Sequence, residues 1–153
     1  MTDLPDVILR LGAAALIGGL IGLNRDIHNK PSGLRTLALV GLGAALAVMT
    51  AAGATAGQVP IAPVIQGVLT GVGFLGAGVI VHEAANQKVH GLTTAASIWL
   101  TACVGCACGA GLWQISLVSA ALVAFVLVFG GGIEKSVRRR LRGNGKEGDG
   151  DGT

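Results

Sequence analysis

The sequence has no tyrosine, three phenylalanines and two tryptophans, and charged residues make up only 12% of it. A soluble domain carries about a quarter charged residues. So few charges cannot cover a water-exposed surface, which excludes most soluble enzymes and disordered chains. Three cysteines in 153 residues exclude a secreted disulfide scaffold. What is abundant points the same way. The hydrophobic fraction is 52%, the mean hydropathy is +0.70, and there are 26 glycines. This is the composition of an integral membrane protein.

The few charges are clustered. No Asp, Glu, Lys or Arg occurs in residues 11–23, 37–81 or 91–133. A spanning helix needs about 20 apolar residues. The sequence therefore predicts an all-α membrane bundle of five spans, near Val7–Leu23, Thr36–Ala54, Ala62–Val81, Thr94–Ala110 and Ile115–Ile133. Residues 1–134 would form the transmembrane domain, and 135–153 a basic and then disordered tail, because GNGKEGDGDGT cannot bury a core.

Five spans put the termini on opposite sides. Segments 24–35, 82–93 and the tail would share one side, and they hold ten of the eleven basic residues. Basic residues stay in the cytoplasm. The expected orientation is N-terminus outside and C-terminus inside, with no cleaved leader, since MTDLPDV lacks a basic start. The eleventh basic residue, Arg10, lies one turn inside the first span, four residues after Asp6. It reads either as an arginine snorkelling to Asp6 and the headgroups or as a functional intramembrane charge.

A short pattern recurs. GLRT at Gly33–Thr36 enters the second span and GLTT at Gly91–Thr94 enters the fourth, each after a glycine-rich helix and a polar loop. Two parallel helix-pair repeats plus a fifth helix would produce this. So would ordinary helix-start preferences for Gly and Thr. Either way two helix N-termini face the inner side, where an anion or acidic headgroup could be held.

GVGFLG at Gly71–Gly76 matches a dinucleotide fingerprint by letter, but it lies inside an apolar span without the strand that motif requires. A packing role fits better. Gly67, Gly71, Gly73, Gly76 and Gly78, with Gly18 and Gly22 and with Gly105 and Gly109, have the small-residue spacings that let membrane helices approach closely. The CxxCxC of Cys103, Cys106 and Cys108 falls within a helix and reads as small apolar filler. His28, His82, His90, Asp26 and Glu83 all fall in inner loops; loop polarity accounts for them, and no metal-ligand set is assigned. Trp113 suits the outer interface, and Trp99 reads as a packing residue. The mid-span polar groups are hydroxyls and one amide, at Thr50, Gln66, Thr70, Ser97 and Thr101. With no nucleophile–base pair, no enzyme activity, cofactor or nucleic-acid partner is expected.

Four stretches together resemble the MgtC/SapB family of bacterial inner-membrane proteins: RLGAAALIGGLIGLNRD (10–26), KPSGLRTLALVGLGAAL (30–46), GVGFLGAGVI (71–80) and VHGLTTAASIWLTACVG (89–105). The resemblance implies a role in magnesium homeostasis and growth in low magnesium, exerted through membrane partners. Its motif positions at the inner face are Arg25, Asp26, Gly33, Arg35, Thr36, Gly91, Thr93 and Thr94; Phe74 and Trp99 also match. The chain departs from the family where Asn24, Pro60 and Pro63 replace residues that are often acidic or basic, and a short tail stands where longer members have a soluble domain. The expectation is a protein acting in the bilayer through another inner-membrane protein or through copies of itself. The alternative is a small oligomeric transporter for magnesium or another solute.

Overall fold

In the computed structural model, residues 3–54, 60–84 and 91–143 are described, with backbone alone for Ala54, 81–84 and 129–143. Five helices follow one another: α1 Leu4–Ile27, α2 Leu34–Ala54, α3 Ala62–Ala84, α4 Leu92–Gly109 and α5 Trp113–Gly143. There is no strand among the described residues. The first four helices are long and apolar enough to cross a membrane, and α5 contributes a shorter apolar stretch, Trp113–Val128. The all-α bundle is as expected, but two boundaries differ by four residues or more. α1 continues four residues past Leu23 and carries Arg25 inside the helix. α5 continues ten residues past Ile133, so the basic segment is helical to Gly143.

Pro5 starts α1 at a position where its missing N–H costs nothing. The helix stops at Asn29, which takes a positive φ of 51°. Lys30 N–H donates to Arg25 C=O at 3.0 Å and Asn29 N–H to Asp26 C=O at 3.0 Å, the paired bonds of a Schellman stop. Pro31 follows and cannot extend the helix. Gly111, at φ 75°, makes the sharp turn between α4 and α5.

The centre of the bundle is α1, α2 and α4, and their contacts are made by backbone. Where a Cβ on Gly22 would stand, Gly33 C=O lies at 2.6 Å; on Gly18 it would meet Leu37 C=O, and on Gly41 the C=O of Ala14 at 2.6 Å. The pairs 22–33, 18–37 and 14–41 step by four residues in opposite senses, so α1 and α2 are antiparallel. A Cβ on Gly105 would strike Gly41 C=O, and on Gly109 Ala45 C=O at 2.6 Å. Those pairs step in the same sense, so α2 and α4 are parallel. Lipid is as apolar as a neighbouring helix, so close van der Waals contact must supply the cohesion. Gly41 sits where all three helices meet, and the Thr101 methyl, 1% exposed, fills the space between Gly18 and Gly41.

α3 is different. It packs on α4 through Gly76, whose Cβ position is 3.3 Å from the Ala95 Cβ. Val68, Leu69 and Val72 lie against Ala44, Val48, Ala102 and Cys106. Among the described residues, no neighbouring element lies within 4 Å of the Cβ positions of Gly67, Gly71, Gly73 or Gly78. The expectation that these four glycines pack within the chain is therefore corrected. Gly67, Gly71 and Gly78 stand on the outer side of the helix, where Phe74 is 80% exposed, and Gly73 on its flank. The two hairpins thus differ: among the described residues the first has three close backbone approaches, and the second meets at Gly76 through the Ala95 side chain.

Candidate functional site

The site forms where the α1–α2 turn meets the start of α4. Arg25 lies in the last turn of α1 and is only 3% exposed. It is directed inward because its helix face is the one that holds Ala14, Gly18, Ile21 and Gly22 against the bundle. Its guanidinium donates from Nε and Nη2 to Pro31 C=O at 3.1 and 3.0 Å, from Nη1 to Ser97 Oγ at 3.0 Å, and from Nη2 to Thr94 Oγ1. Ser97 Oγ can accept because its own proton goes to Thr93 C=O at 2.7 Å. One planar group therefore ties the turn to α4. A buried cation is tolerated only with such directed acceptors.

Asp26, the next residue, serves the turn from the other side. Its carboxylate accepts the Leu34 N–H at 2.9 Å and satisfies a free donor at the start of α2. The same carboxylate occupies the space that any Gly33 Cβ would need. The C=O of Gly33 in turn lies against Gly22 and leaves no room for a side chain there. An acidic group at a helix N-terminus is favourable through the helix dipole.

The structure brings Arg25, Asp26, Gly33, Thr94 and Gly22 together, with Ser97 added. Arg35, Thr36 and Thr93 are exposed and place no side chain in this network. Threonine was the expected start signal for both helices. Instead Asp26 satisfies Leu34, and Gly91, at φ 89°, begins α4 without a side-chain cap while Thr94 is held by Arg25.

A second arginine of α1 meets the far end of α4. Arg10 Nε contacts Asp6 Oδ1 at 2.9 Å, and Nη1 donates to Gly109 C=O at 3.1 Å, a carbonyl at the C-terminus of α4. A cation there complements the dipole. The Gly111 Cβ position is 2.9 Å from the Arg10 guanidinium, so a side chain at 111 would displace it. The snorkelling reading of Arg10 gave the Asp6 contact and missed the α4 carbonyl. Arg10 and Arg25 thus grip the two ends of α4.

The mid-span hydroxyls are satisfied locally. Thr50, Thr70, Ser97 and Thr101 each donate to a carbonyl four residues earlier, at 2.8, 2.8, 2.7 and 2.7 Å. Cys106 and Cys108 are buried in apolar clusters. Among the described residues no three His, Cys, Asp or Glu side chains gather as a metal site. His90 and the side chains of His82 and Glu83 lie outside the described residues. Trp99, expected to be a packing residue, is 43% exposed. With Ala62, Ile65, Gln66, Leu69 and Thr70 it lines a groove of about 530 Å³, open on one side.

The sequence placed Arg25 in a loop, Ser97 only among the mid-span hydroxyls, and did not single out Gly41. The Gly41-xxx-Ala45 spacing was visible. The hydrogen bond from Arg25 to Ser97 spans 72 positions and leaves no local pattern.

Comparison with known proteins gives a consistent result. The family model described as "MgtC family" matches residues 11–136. Protein SrpB of Synechococcus elongatus is 46% identical over 120 residues, covering 71% of this chain and 66% of the relative. Protein MgtC of Brucella abortus is 43% identical over 118 residues, covering 77% and 46%. The Escherichia coli K12 protein named "Putative magnesium transporter YhiD" is 36% identical over 129 residues, covering 80% and 59%. The chain spans about half to two thirds of the length of these relatives. No solved structure matches at a significant level.

Proposed function

The chain belongs to the MgtC family, and from that premise we propose that it is a multi-pass inner-membrane protein that modulates magnesium homeostasis by contact with another membrane helix, its own copy or a partner's. The name of the YhiD relative connects that protein with magnesium. The observation that carries the contact reading is the outer side of α3. Gly67, Gly71 and Gly78 share one side of that helix, no atom of the described chain lies near them, and glycine contributes almost nothing to lipid contact. Membrane helices associate through faces of this kind. The reading is non-enzymatic. Basic residues at 25, 30, 35, 88 and in the C-terminal segment support an N-terminus outside and a C-terminus in the cytoplasm.

The second reading is a transporter, and the α3–α4 groove favours it. Gln66, Thr70 and Trp99 offer a polar edge inside a span, and a neighbouring copy could close the open side. The readings separate in one paired experiment. Purified protein in liposomes is assayed for magnesium flux, and the same gene is tested for rescue of growth in low magnesium. The contact reading expects rescue without flux. Vectorial flux by the protein alone overturns it.

A further inference from the structure

We propose that residues 133–143, the end of α5, form an amphipathic helix that binds anionic phospholipid headgroups of the leaflet from which it emerges. The proposal holds whether or not the protein acts on magnesium. α5 is 31 residues long, about 46 Å at helical rise, against a hydrocarbon core of about 30 Å. Its apolar part is Trp113–Val128. Gly130, Gly131 and Gly132 follow, and then five basic residues and one acidic residue within 134–142. Charges of that density stay out of hydrocarbon, so this last part of the helix occupies the headgroup zone or the water beyond it.

Helical register separates the two. At about 100° per residue, positions 135, 138, 139 and 142 fall within one arc of about 100°, and all four are Lys or Arg. Ile133, Val137 and Leu141 recur every fourth residue on the opposite side, and the fifth basic residue, Arg140, falls at the edge of that row. A topology signal requires basic residues on one side of the membrane; it does not require them on one side of a helix. A helix standing in water has no use for an apolar row. Both features suit a helix lying in the interface, with its apolar row on the side of the acyl chains and its basic row on the side of the headgroup phosphates. Four of the five basic residues are arginine, whose planar fork matches phosphate oxygens in pairs. Dense Lys/Arg clusters beside a span recognise anionic lipid in this way. The three glycines weaken the helix where it must change from spanning to lying flat.

The test is amide hydrogen exchange of the full chain in nanodiscs of phosphatidylcholine, with and without phosphatidylglycerol. Phosphatidylglycerol should slow exchange across 133–143 on the order of tenfold, and high salt should remove the slowing. The variant Lys135→Gln/Arg138→Gln/Arg139→Gln/Arg140→Gln/Arg142→Gln should lose it while α4 amides exchange as in the parent. Val137→Ser/Leu141→Ser, with every charge kept, should weaken it. Equal exchange in the two lipids overturns the proposal, as does slowing that survives removal of the charges. Slowing by added RNA and not by phosphatidylglycerol overturns it too.

Discussion

α1 and α3 are both glycine-rich spans, yet their glycines have opposite uses. Gly18 and Gly22 of α1 lie against carbonyls of Leu37 and Gly33, so the two backbones touch. Gly67, Gly71, Gly73 and Gly78 of α3 meet nothing of the chain among the described residues. Small-residue spacing therefore says that a close approach is available and leaves open which molecule makes it. In α1 the approach is made by α2, with the Thr101 methyl of α4 beside Gly18, and it holds the fold. In α3 it is left for something outside the chain.

The comparison can be broken at four points, in order of decreasing effect. Gly18→Leu and Gly105→Leu each drive a side chain into a neighbouring backbone, which cannot retreat. We expect a loss of about 3–5 kcal/mol, seen as little folded protein after detergent extraction. Normal yield and an unchanged thermal midpoint would remove the backbone-contact account of α1 and α4.

Arg25→Leu leaves Pro31 C=O without its donor and breaks the link to Thr94 and Ser97. The expected cost is about 2–4 kcal/mol, read as a lowered thermal midpoint. Arg25→Lys should recover only part of it, because one ammonium cannot span all these acceptors. Full recovery by lysine would show that charge alone matters there.

Arg10→Leu exposes the Gly109 carbonyl and frees Asp6. Arg10 is partly exposed, so solvent screens the pair and the expected loss is about 1 kcal/mol. High salt should reduce the difference between variant and parent; a difference that salt leaves untouched would point to packing instead.

Gly71→Leu should change fold stability by less than about 0.5 kcal/mol and still abolish rescue of growth in low magnesium. Retained rescue would mean that the outer side of α3 contacts only lipid. A large loss of folded protein would mean that α3 is buried by the chain itself.

The pattern of success at the sequence level follows from the solvent. Helix number was legible because charge is costly in hydrocarbon, and the uncharged runs in residues 11–23, 37–81 and 91–133 are long enough to see by eye. Which side of each span faces inward was not legible. Leu37 is fully buried and Leu39 is 67% exposed, although they are the same residue two positions apart. Lipid accepts a leucine as readily as a protein core does, so the polar and apolar faces of a soluble helix have no counterpart here. The site divides along the same line. Gly33, Asp26 and Thr94 stood out as motif residues, while the burial of Arg25 depends on a partner 72 positions away.

The two arginines of α1 have a mechanical meaning. A helix gripped at one end can swing, and one gripped in the middle can rock. α4 is gripped at Thr94 and at Gly109, by residues as far apart on α1 as those two are on α4. Sliding by a single turn would break both grips at once, so this pair cannot act as a piston. Together with α2 it forms one frame, on which α3 packs chiefly through side chains.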